Sequence, residues 1–426
     1  MIDQIYQHYL TCSGVSTDTR QLSKDCMFFA LKGPNFNANQ FAAKALEQGA
    51  RFVVIDDEKF QLNDRCLLVP DVLQTLQQLA LHHRRQLKIP IIGITGSNGK
   101  TTSKELINAV LCQKYTTFAT KGNLNNHIGV PVSVLSISNQ VQIAIIEMGA
   151  NKIGDIAELV GYAEPNHGLI TNIGKAHIEG FGSFEGVIRG KSELYHFLIQ
   201  KEGKIFVNSS NEILANMSKR IKSPVFYPQS GDYLHCELVE ANPYVKYLDE
   251  NGVEVLTNLM GRYNFENIAA ALCIGKYFEV NPEDANEAIR NYVPANNRSQ
   301  VFKKGSNTIL MDAYNANPTS MQAALDNFDK MKAAKKVALL GDMYELGNNE
   351  AEEHAHIGQL TAEMNLDEVI FCGKKMNSAK QANAAAKHFT DKQQLINYLQ
   401  TNSYHDTFIL IKGSRAIALE EVVNYL

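Results

Sequence analysis

Pro90-Ile-Ile-Gly-Ile-Thr-Gly-Ser-Asn-Gly-Lys-Thr-Thr102 is the stretch of this chain that decides its fold. Its first half is apolar, as in a buried parallel strand, and after Lys100 apolar residues recur at helical spacing. The glycine-rich turn between them points several backbone N–H groups at one spot, beside the positive end of a helix dipole, a lysine ammonium and a threonine hydroxyl. That combination suits a polyphosphate with Mg²⁺, so the stretch predicts a site for ATP or GTP.

The spacing of this loop differs from that of the ordinary phosphate loop. The pattern G-x-x-x-x-G-K-[ST] would need glycine at position 94, where Ile94 stands. A chance Gly-Lys-Thr in a surface turn is the alternative, but the strand and the helix on either side favour a phosphate loop. The predicted phosphate-binding residues are Gly96, Ser97, Asn98, Gly99, Lys100, Thr101 and Thr102.

Composition excludes several classes of protein. A chain of 426 residues with 45% hydrophobic residues is long enough for two to four domains with proper cores. Its net charge of -4 gives no basic surface, so no nucleic-acid partner is expected. The start lacks a basic segment followed by an apolar run, and no stretch approaches a membrane span, so we expect a cytoplasmic protein without membrane insertion. Its seven cysteines are scattered without a C-x-x-C, which predicts buried thiols rather than disulfides or a thiolate metal site.

Three regions that differ in their pattern of predicted strands and helices indicate a three-domain α/β protein. Residues 1–88 hold short strands and helices, as in a small α/β unit. Residues 89–297 alternate strands with helices around the phosphate loop, as in a doubly wound nucleotide-binding domain. Residues 298–426 alternate again, with strands predicted over 308–311, 336–340, 368–372 and 407–412, as in a Rossmann-like domain.

A second group of candidate residues follows the strands of the central region. Glu147 closes an apolar strand, and the carboxyl ends of parallel strands are where ligands bind, so it is a predicted Mg²⁺ ligand. A helix cap or a solvated edge is the alternative. His177 lies in the next glycine-rich loop, where a second divalent ion could lie between it and Glu147, although a structural histidine is as good an interpretation. Lys191 opens a predicted helix and, taken alone, would be a surface lysine.

Seven segments in this order closely resemble the Mur ligase family of peptidoglycan synthesis. They are TGSNGKTT (95–102), KGNLNN (121–126), EMGA (147–150), NIGKAHIEGFGS (172–183), GRYNFEN (261–267), NRS (297–299) and DAYNANP (312–318). Within the family, segments 122–126 and 312–320 resemble the members that add D-alanyl-D-alanine to UDP-N-acetylmuramoyl tripeptide. The member that adds the tripeptide's third residue typically has a Tyr-Ala-His-Thr-Pro type segment at the latter place, and its arginine motif for diaminopimelate is not apparent here.

The resemblance implies roles for the central residues. Lys100 and Thr101 would hold the ATP phosphates and Mg²⁺, while Glu147 and His177 would serve metal ions, two Mg²⁺ in all. Lys191 would be carbamylated by CO₂, giving an anion that helps to position a metal ion, and carbamylation needs a neutral amine and hence a lowered pKa. In the remaining nucleotide contacts, Asn264 and Asn267 would meet adenine, Arg298 the phosphates and Asp312 the ribose, with Asn315 nearby. Helix capping is the alternative for the two asparagines of segment 261–267.

Substrate contacts are implied at three further places. Ser16, Asp18 and Arg20 would bind the uridine nucleotide, although Asp18 could equally be a turn residue. The loop 121–126 would contribute Lys121, Asn123, Asn125 and Asn126. Ser414 follows a predicted strand and could face the incoming dipeptide, with an N-cap of the last helix as the alternative. The chain departs from the family's pattern at 36–39, where Phe-Asn-Ala-Asn replaces Phe-Asp-Gly-His, and at His127, where an acidic residue is common.

The implied reaction transfers the γ-phosphoryl group of ATP to the substrate carboxylate and then lets the dipeptide amine displace phosphate. A folylpolyglutamate-type ligase is one alternative, against which residues 1–88 count. A phosphate-loop NTPase that drives movement or signalling is another, against which the loop spacing and the C-terminal domain count. The third residue of the tripeptide stays open, and a monomer is expected.

Overall fold

The computed structural model describes residues 1–295 and 297–426. Its first region is built on a four-stranded parallel sheet with the order β1-β2-β5-β6, and a short hairpin of β3 and β4 projects from it. The strands are β1 Val15–Ser16, β2 Met27–Phe29, β3 Lys32–Gly33, β4 Phe36–Asn37, β5 Phe52–Ile55 and β6 Cys66–Leu68; the helices are α1 Ile2–Tyr9, α2 Ala42–Glu47 and α3 Val72–Gln86.

The central region holds a six-stranded parallel sheet with the order β12-β11-β10-β7-β9-β8. Its strands are β7 Ile91–Thr95, β8 Thr117–Ala119, β9 Ile143–Glu147, β10 His167–Ile170, β11 Lys204–Asn208 and β12 Val225–Tyr227. Its helices are α4 Lys100–Leu111, α5 Gly129–Leu135, α6 Asp155–Ala163, α7 Ile178–Phe181, α8 Phe184–Gln200, α9 Glu212–Ser218, α10 Tyr263–Tyr277 and α11 Pro282–Asn291. All five residues of β7 are buried, as expected of an inner strand with helices on both faces.

A three-stranded antiparallel sheet follows the parallel one, and the sequence interpretation missed it. It consists of β13 Glu237–Ala241, β14 Tyr244–Leu248 and β15 Glu254–Met260. Buried and exposed residues alternate along most of β15, because one face packs on the core and the other faces solvent.

The C-terminal region holds a second six-stranded sheet with the order β16-β17-β21-β18-β19-β20, parallel except for β16. Its strands are β16 Gln300–Lys304, β17 Asn307–Asp312, β18 Lys336–Gly341, β19 Glu368–Cys372, β20 Lys387–Phe389 and β21 Phe408–Lys412. Its helices are α12 Pro318–Lys330, α13 Glu350–Glu363, α14 Asn377–Ala382 and α15 Lys392–Thr401. The predicted strands are present, whereas the antiparallel edge strand β16 was not foreseen.

One prediction about a helix was wrong. Lys191 does not open a helix, because α8 begins at Phe184 with Ser183 as its N-cap. Gly186 and Gly190 conceal this start in the sequence, and both let the helix approach Phe181: a Cβ on Gly186 would lie 2.0 Å from the Phe181 carbonyl oxygen. The last helix of the chain, Leu419–Tyr425, is a 3₁₀ helix.

The first region shares its core with the central one. Leu76 and Leu79 of α3 belong to the same buried cluster as Val130, Val134 and Ile146. Five of the seven cysteines are buried free thiols, as predicted, whereas Cys112 is exposed and Cys12 half-buried. Within residues 1–295 and 297–426, no helix has the length and apolar character needed to cross a bilayer.

Candidate active site

The phosphate loop has the strand–turn–helix geometry that its sequence predicted. Gly99 has a φ of 77° and precedes α4, which starts at Lys100. Gly96 has a φ of 148°, and a Cβ there would lie 2.0 Å from Thr171 Oγ1. A side chain at position 96 would therefore collide with the end of β10, so this position requires glycine.

The loop is pinned to the segment that follows β10. Ser97 N donates to Asn172 O at 3.0 Å, and Ser97 Oγ donates to Gly174 O at 3.1 Å. Asn98 N donates to Asn172 Oδ1 at 3.0 Å. These bonds fix the loop before any ligand binds, which reduces the entropy cost of ligand binding.

Lys100 folds back over its own loop. Its Nζ donates to the carbonyl oxygens of Gly96 at 2.7 Å and Ser97 at 3.2 Å. The pKa of Lys100 is lowered to about 8, chiefly by burial; nearby Glu147 opposes this shift and Arg298 adds to it. An anion bound in the loop would favour the charged ammonium, so this lysine is suited to phosphate.

Glu147 is buried at the end of β9 with 1% of its surface exposed. Thr101 Oγ1 donates to its Oε2 at 3.0 Å, and Asn125 Nδ2 donates to its Oε1 at 2.9 Å. Lys104, which the sequence interpretation did not single out, lies 3.6 Å from the same carboxylate through Nζ. The carboxylate is therefore neutralised and oriented from three sides.

This donor set fits Mg²⁺. Among the described residues there is no cluster of three or more His, Cys, Asp and Glu side chains of the kind that makes an all-protein metal site. Mg²⁺ at nucleotide sites takes one or two protein oxygens and completes its shell with phosphate and water. Thr101 and Glu147 provide such a pair beside the phosphate loop, so the residues present fit the ion.

Lys191 is 1% exposed in the middle of α8, so the interpretation of it as a surface lysine is wrong. Its Nζ donates to Ala150 O at 3.1 Å and lies 5.2 Å from the centre of the Phe181 ring. Burial lowers its pKa well below the ordinary value, and Lys100 adds to this effect. A lowered pKa favours the neutral amine, which is the form that carbamylation requires.

His177 is the N-cap of α7 and lies on the wall of the same cavity as Glu147. Its Nδ1 is hydrogen-bonded to the carboxylate of Glu345, which belongs to the C-terminal region. The structure thus joins His177 to a residue that the sequence interpretation did not consider.

The asparagines of segment 261–267 lie inside α10, so the helix-capping interpretation is wrong. Asn264 Nδ2 donates to Met260 O at 2.6 Å, and Asn267 Nδ2 donates to Asn264 Oδ1 at 2.9 Å. Ser103 of α4 donates to Asn267 Oδ1 at 2.8 Å. Both asparagines are buried beside the phosphate loop, with α10 packed against α4.

The C-terminal region supplies the opposite wall. The guanidinium of Arg298 lies 3.7 Å from the centre of the Tyr314 ring. Asp312 accepts from Ser299 N at 3.2 Å and pairs with buried Lys412. Asn317 Nδ2 donates to Asn98 Oδ1 at 2.8 Å, so this wall contacts the phosphate loop directly.

Together these residues enclose a cavity of about 490 Å³. The predicted residues on its wall are Ser97, Asn98, Gly99, Lys100, Thr101, Thr102, Asn125, Glu147, His177, Asn264, Asn267, Arg298, Asp312 and Asn315. The wall also contains residues that were not predicted, among them Tyr263, Glu266, Ser299, Asn317 and Thr319. Tyr263 and Asn317 lie inside the quoted segments 261–267 and 312–318, so their polar side chains within those segments were the signal that could have found them.

The other predicted residues lie off this wall. Gly96 and Lys191 are not among the residues that line the cavity. Ser414 Oγ donates to Asn315 Oδ1 at 3.2 Å without capping the following 3₁₀ helix. Lys121 and Asn123 are exposed. Asn126 Oδ1 accepts from Gly129 N at 2.8 Å at the start of α5.

The three candidates in the first region form a turn at the end of β1. Asp18 caps a 3₁₀ helix through Arg20 N at 2.9 Å, so its turn role is present. The Arg20 guanidinium also holds the pKa of Asp18 down to about 2. Ser16 Oγ donates to Asp18 O at 3.1 Å.

Comparison with known proteins shows which family the chain belongs to. Residues 94–275 match the Mur ligase middle domain, and residues 297–415 match the Mur ligase, glutamate ligase domain. The UDP-N-acetylmuramoyl-tripeptide--D-alanyl-D-alanine ligase of Bacillus subtilis is 35% identical over 97% of this chain and 93% of its own. The chain belongs to the Mur ligase family.

Other relatives of this Mur ligase agree. The enzyme of the same name from Escherichia coli is 33% identical over 98% of this chain and 94% of its own. A crystal structure of MurF from Acinetobacter baumannii superposes with a TM-score of 0.87 at 29% identity, covering 100% of this chain and 98% of that one. MurF from Thermotoga maritima in complex with ADP gives 0.84 at 26% identity, covering 98% and 97%. The predicted family, ligase class and three-domain α/β fold are confirmed.

Proposed function

We propose that this Mur ligase joins D-alanyl-D-alanine to UDP-N-acetylmuramoyl tripeptide and, in doing so, cleaves ATP to ADP and phosphate. The observation that carries the proposal is similarity over nearly the whole chain to relatives of that name, at 35% and 33% identity. The cavity between the central and C-terminal regions supports it, because it offers phosphate, metal and nucleotide contacts in one place.

The first step is phosphoryl transfer. A carboxylate oxygen of the tripeptide attacks the γ-phosphorus of ATP, the bond to the β–γ bridging oxygen breaks, and ADP leaves an acyl phosphate behind. Two anions must approach each other, so the chief requirement is positive charge that is already in place. Lys100 and Arg298 supply it from the central and C-terminal walls of the cavity. Bound Mg²⁺ supplies further neutralisation of the phosphate oxygens.

The second step forms the amide. The amine of D-alanyl-D-alanine attacks the acyl carbon, a proton leaves the nitrogen, and the C–O bond to phosphate breaks. No nucleophile of the protein is required. Water must be kept away from the acyl phosphate, and the contact of Asn317 with Asn98 closes the cavity beside the phosphate loop.

We assign the cofactors to the residues as follows. ATP binds with its phosphates on 96–102, its adenine beside Asn264 and Asn267 and its ribose near Asp312 and Asn315. Thr101 and Glu147 would hold one Mg²⁺, and His177 with carbamylated Lys191 would hold a second. The lowered pKa of Lys191 and its burial support the carbamate, since CO₂ reacts with the neutral amine.

We assign the substrates to the three regions of the chain. Residues 1–88 bind the UDP end through Ser16, Asp18 and Arg20, residues 89–297 bind ATP, and residues 298–426 close on ATP and the dipeptide. Lys121, Asn123, Asn125 and Asn126 serve the sugar-nucleotide, and Ser414 the dipeptide. We propose a cytoplasmic monomer that neither binds nucleic acid nor inserts into membranes.

Mass spectrometry of the product tests the proposal and the identity of the third residue together. The enzyme is incubated with ATP, Mg²⁺, D-alanyl-D-alanine and a tripeptide ending either in lysine or in diaminopimelate. A pentapeptide product from either form is the expected result. In a parallel incubation with a folate and glutamate, glutamate addition without any pentapeptide in the first incubation would show the folylpolyglutamate-type activity instead.

A further inference from the structure

A carboxylate of the C-terminal region contacts a candidate site residue of the central region. Glu345 lies in the turn after β18, and its side chain accepts a hydrogen bond from Nδ1 of His177. The same turn is fixed by its backbone, because Glu179 N donates to Glu345 O at 3.1 Å. Two adjacent bonds thus join this turn to α7.

Both partners have an unusual backbone. Glu345 has a φ of 62° and His177 a φ of 55°, although neither is glycine. Left-handed backbone costs energy for residues with a Cβ and persists where the surroundings hold it in place. The contact is thus made by two residues that the fold presents to each other at some cost.

The chemistry of the contact fixes the imidazole. A carboxylate can only accept, so the proton of the neutral ring lies on Nδ1. Nε2 then keeps its lone pair, and His177 lies on the wall of the phosphate-binding cavity. Histidines that bind metal ions are held in this way by a carboxylate on the other ring nitrogen.

We propose that Glu345 is a positioning residue, which holds His177 in the tautomer whose Nε2 is free to bind a ligand of the cavity. Because the two residues come from different regions, His177 is oriented only when the C-terminal region is docked on the central one. The role of Glu345 rests on the proposed function in one respect only: the ligand of Nε2 is taken to be the second Mg²⁺.

The test follows the ring nitrogens of His177 directly. The full chain is labelled with ¹⁵N-histidine, and the His177 signals are assigned by their loss in His177→Gln. In the wild type, at a pH where the ring is neutral, we expect Nδ1 to be protonated and Nε2 unprotonated. Glu345→Ala should shift both signals towards a mixture of tautomers, Glu345→Gln should retain part of the wild-type pattern through its amide oxygen, and the exposed control Glu352→Gln should change nothing.

Metal affinity provides a second readout that needs no turnover. Mn²⁺ is titrated into the protein with a non-hydrolysable ATP analogue and followed by electron paramagnetic resonance. Loss of an outer partner of this kind weakens metal binding roughly 10–100-fold, which we expect for Glu345→Ala and not for Glu352→Gln. His177 signals that stay unchanged in both Glu345 variants would overturn the proposal. That result would leave the ligase assignment untouched, since the assignment is judged by substrate-dependent turnover.

Discussion

At the scale of single residues, two lysines of the site have lowered pKa values. Burial is the main cause of the lowered pKa of both Lys100 and Lys191, and Lys100 lowers the pKa of Lys191 further. The consequences differ, because Lys100 faces the cavity while Lys191 is enclosed by α8, Ala150 and Phe181. The first is suited to meet an anion, and the second is suited to the carbamylation that we propose for it.

Replacement of Lys191 tests the carbamate. We expect Lys191→Ala to lose activity by roughly 100-fold, the effect of losing a group that positions a metal ion. Short carboxylic acids should restore part of the activity, because they can occupy the vacated space as anions. The measurement is the turnover rate with and without such acids, and Lys191→Arg, which keeps the charge and the bulk, should not be rescued. Full activity of Lys191→Ala would rule out a carbamate at this position.

Replacement of Lys100 tests its lowered pKa through stability. The pKa is about 8 in the folded protein against 10.5 ordinarily, so between these values the unfolded chain holds a proton that the folded chain has lost. Stability of the wild type should therefore rise with pH across this window relative to Lys100→Met, by at most about 3 kcal/mol. Thermal unfolding of both proteins between pH 7 and 10.5, without nucleotide, measures the difference. A difference that does not change with pH would mean that the lysine is not desolvated.

At the scale of elements, prediction from sequence succeeded where the signal was local. The strand, turn and helix around Lys100 are set by a continuous apolar run, two glycines with positive φ and a periodic helix. The antiparallel sheet of β13 to β15 was missed because its strands carry exposed apolar residues, such as Val239 and Leu256, which obscure the alternation of buried and exposed positions. The start of α8 was missed because glycine lowers helix propensity, whereas here it permits close packing.

Two glycine replacements separate the effect of glycine on helix propensity from its effect on close packing. Gly186 of α8 lies against Phe181, and a Cβ there would lie 2.0 Å from a carbonyl oxygen of the backbone. Gly186→Ala should therefore destabilise the protein by about 1–3 kcal/mol and lower activity, since α7 and His177 adjoin this contact. Gly161 of α6 has open space where its Cβ would be. Gly161→Ala should stabilise the protein by up to about 1 kcal/mol, as in an ordinary helix interior. Chemical unfolding of the two variants decides, and equal stabilities would contradict the packing role of Gly186.

At the scale of the whole molecule, the site is assembled from regions far apart in sequence. The order of the motifs along the chain, and their places at the ends of strands, predicted which residues would lie together. The contacts between regions could not be predicted in this way, because they depend on how the two sheets pack. Examples are the contacts of Asn317 with Asn98 and of Lys175 N with Thr319 Oγ1. Lys104 could not be recognised for a similar reason, because a lysine one turn into a helix has no local sign of burial. The nucleotide motifs were thus predictable, whereas the residues of other elements that contact them were not.

Asn317→Asp tests the junction between the two regions. The Asp side chain can still accept from Ser320 N and cap α12, but it cannot donate to Asn98 and adds a negative charge near the ATP phosphates. We expect the KM for ATP to rise about tenfold while the Tm stays within a few degrees. Asn281→Asp, at the N-cap of α11, makes the same change at a helix that does not line the cavity, and its KM should be unaffected. An unchanged KM in Asn317→Asp would show that this contact is not part of the nucleotide site.

The most direct measurement is phosphate release from ATP and Mg²⁺ with UDP-N-acetylmuramoyl tripeptide, with and without D-alanyl-D-alanine. A peptide ligase of the proposed kind releases phosphate in step with amide formation, so we predict sustained release only when both substrates are present. Release at the same rate without either substrate would contradict the ligase and would make the protein a general nucleotide hydrolase.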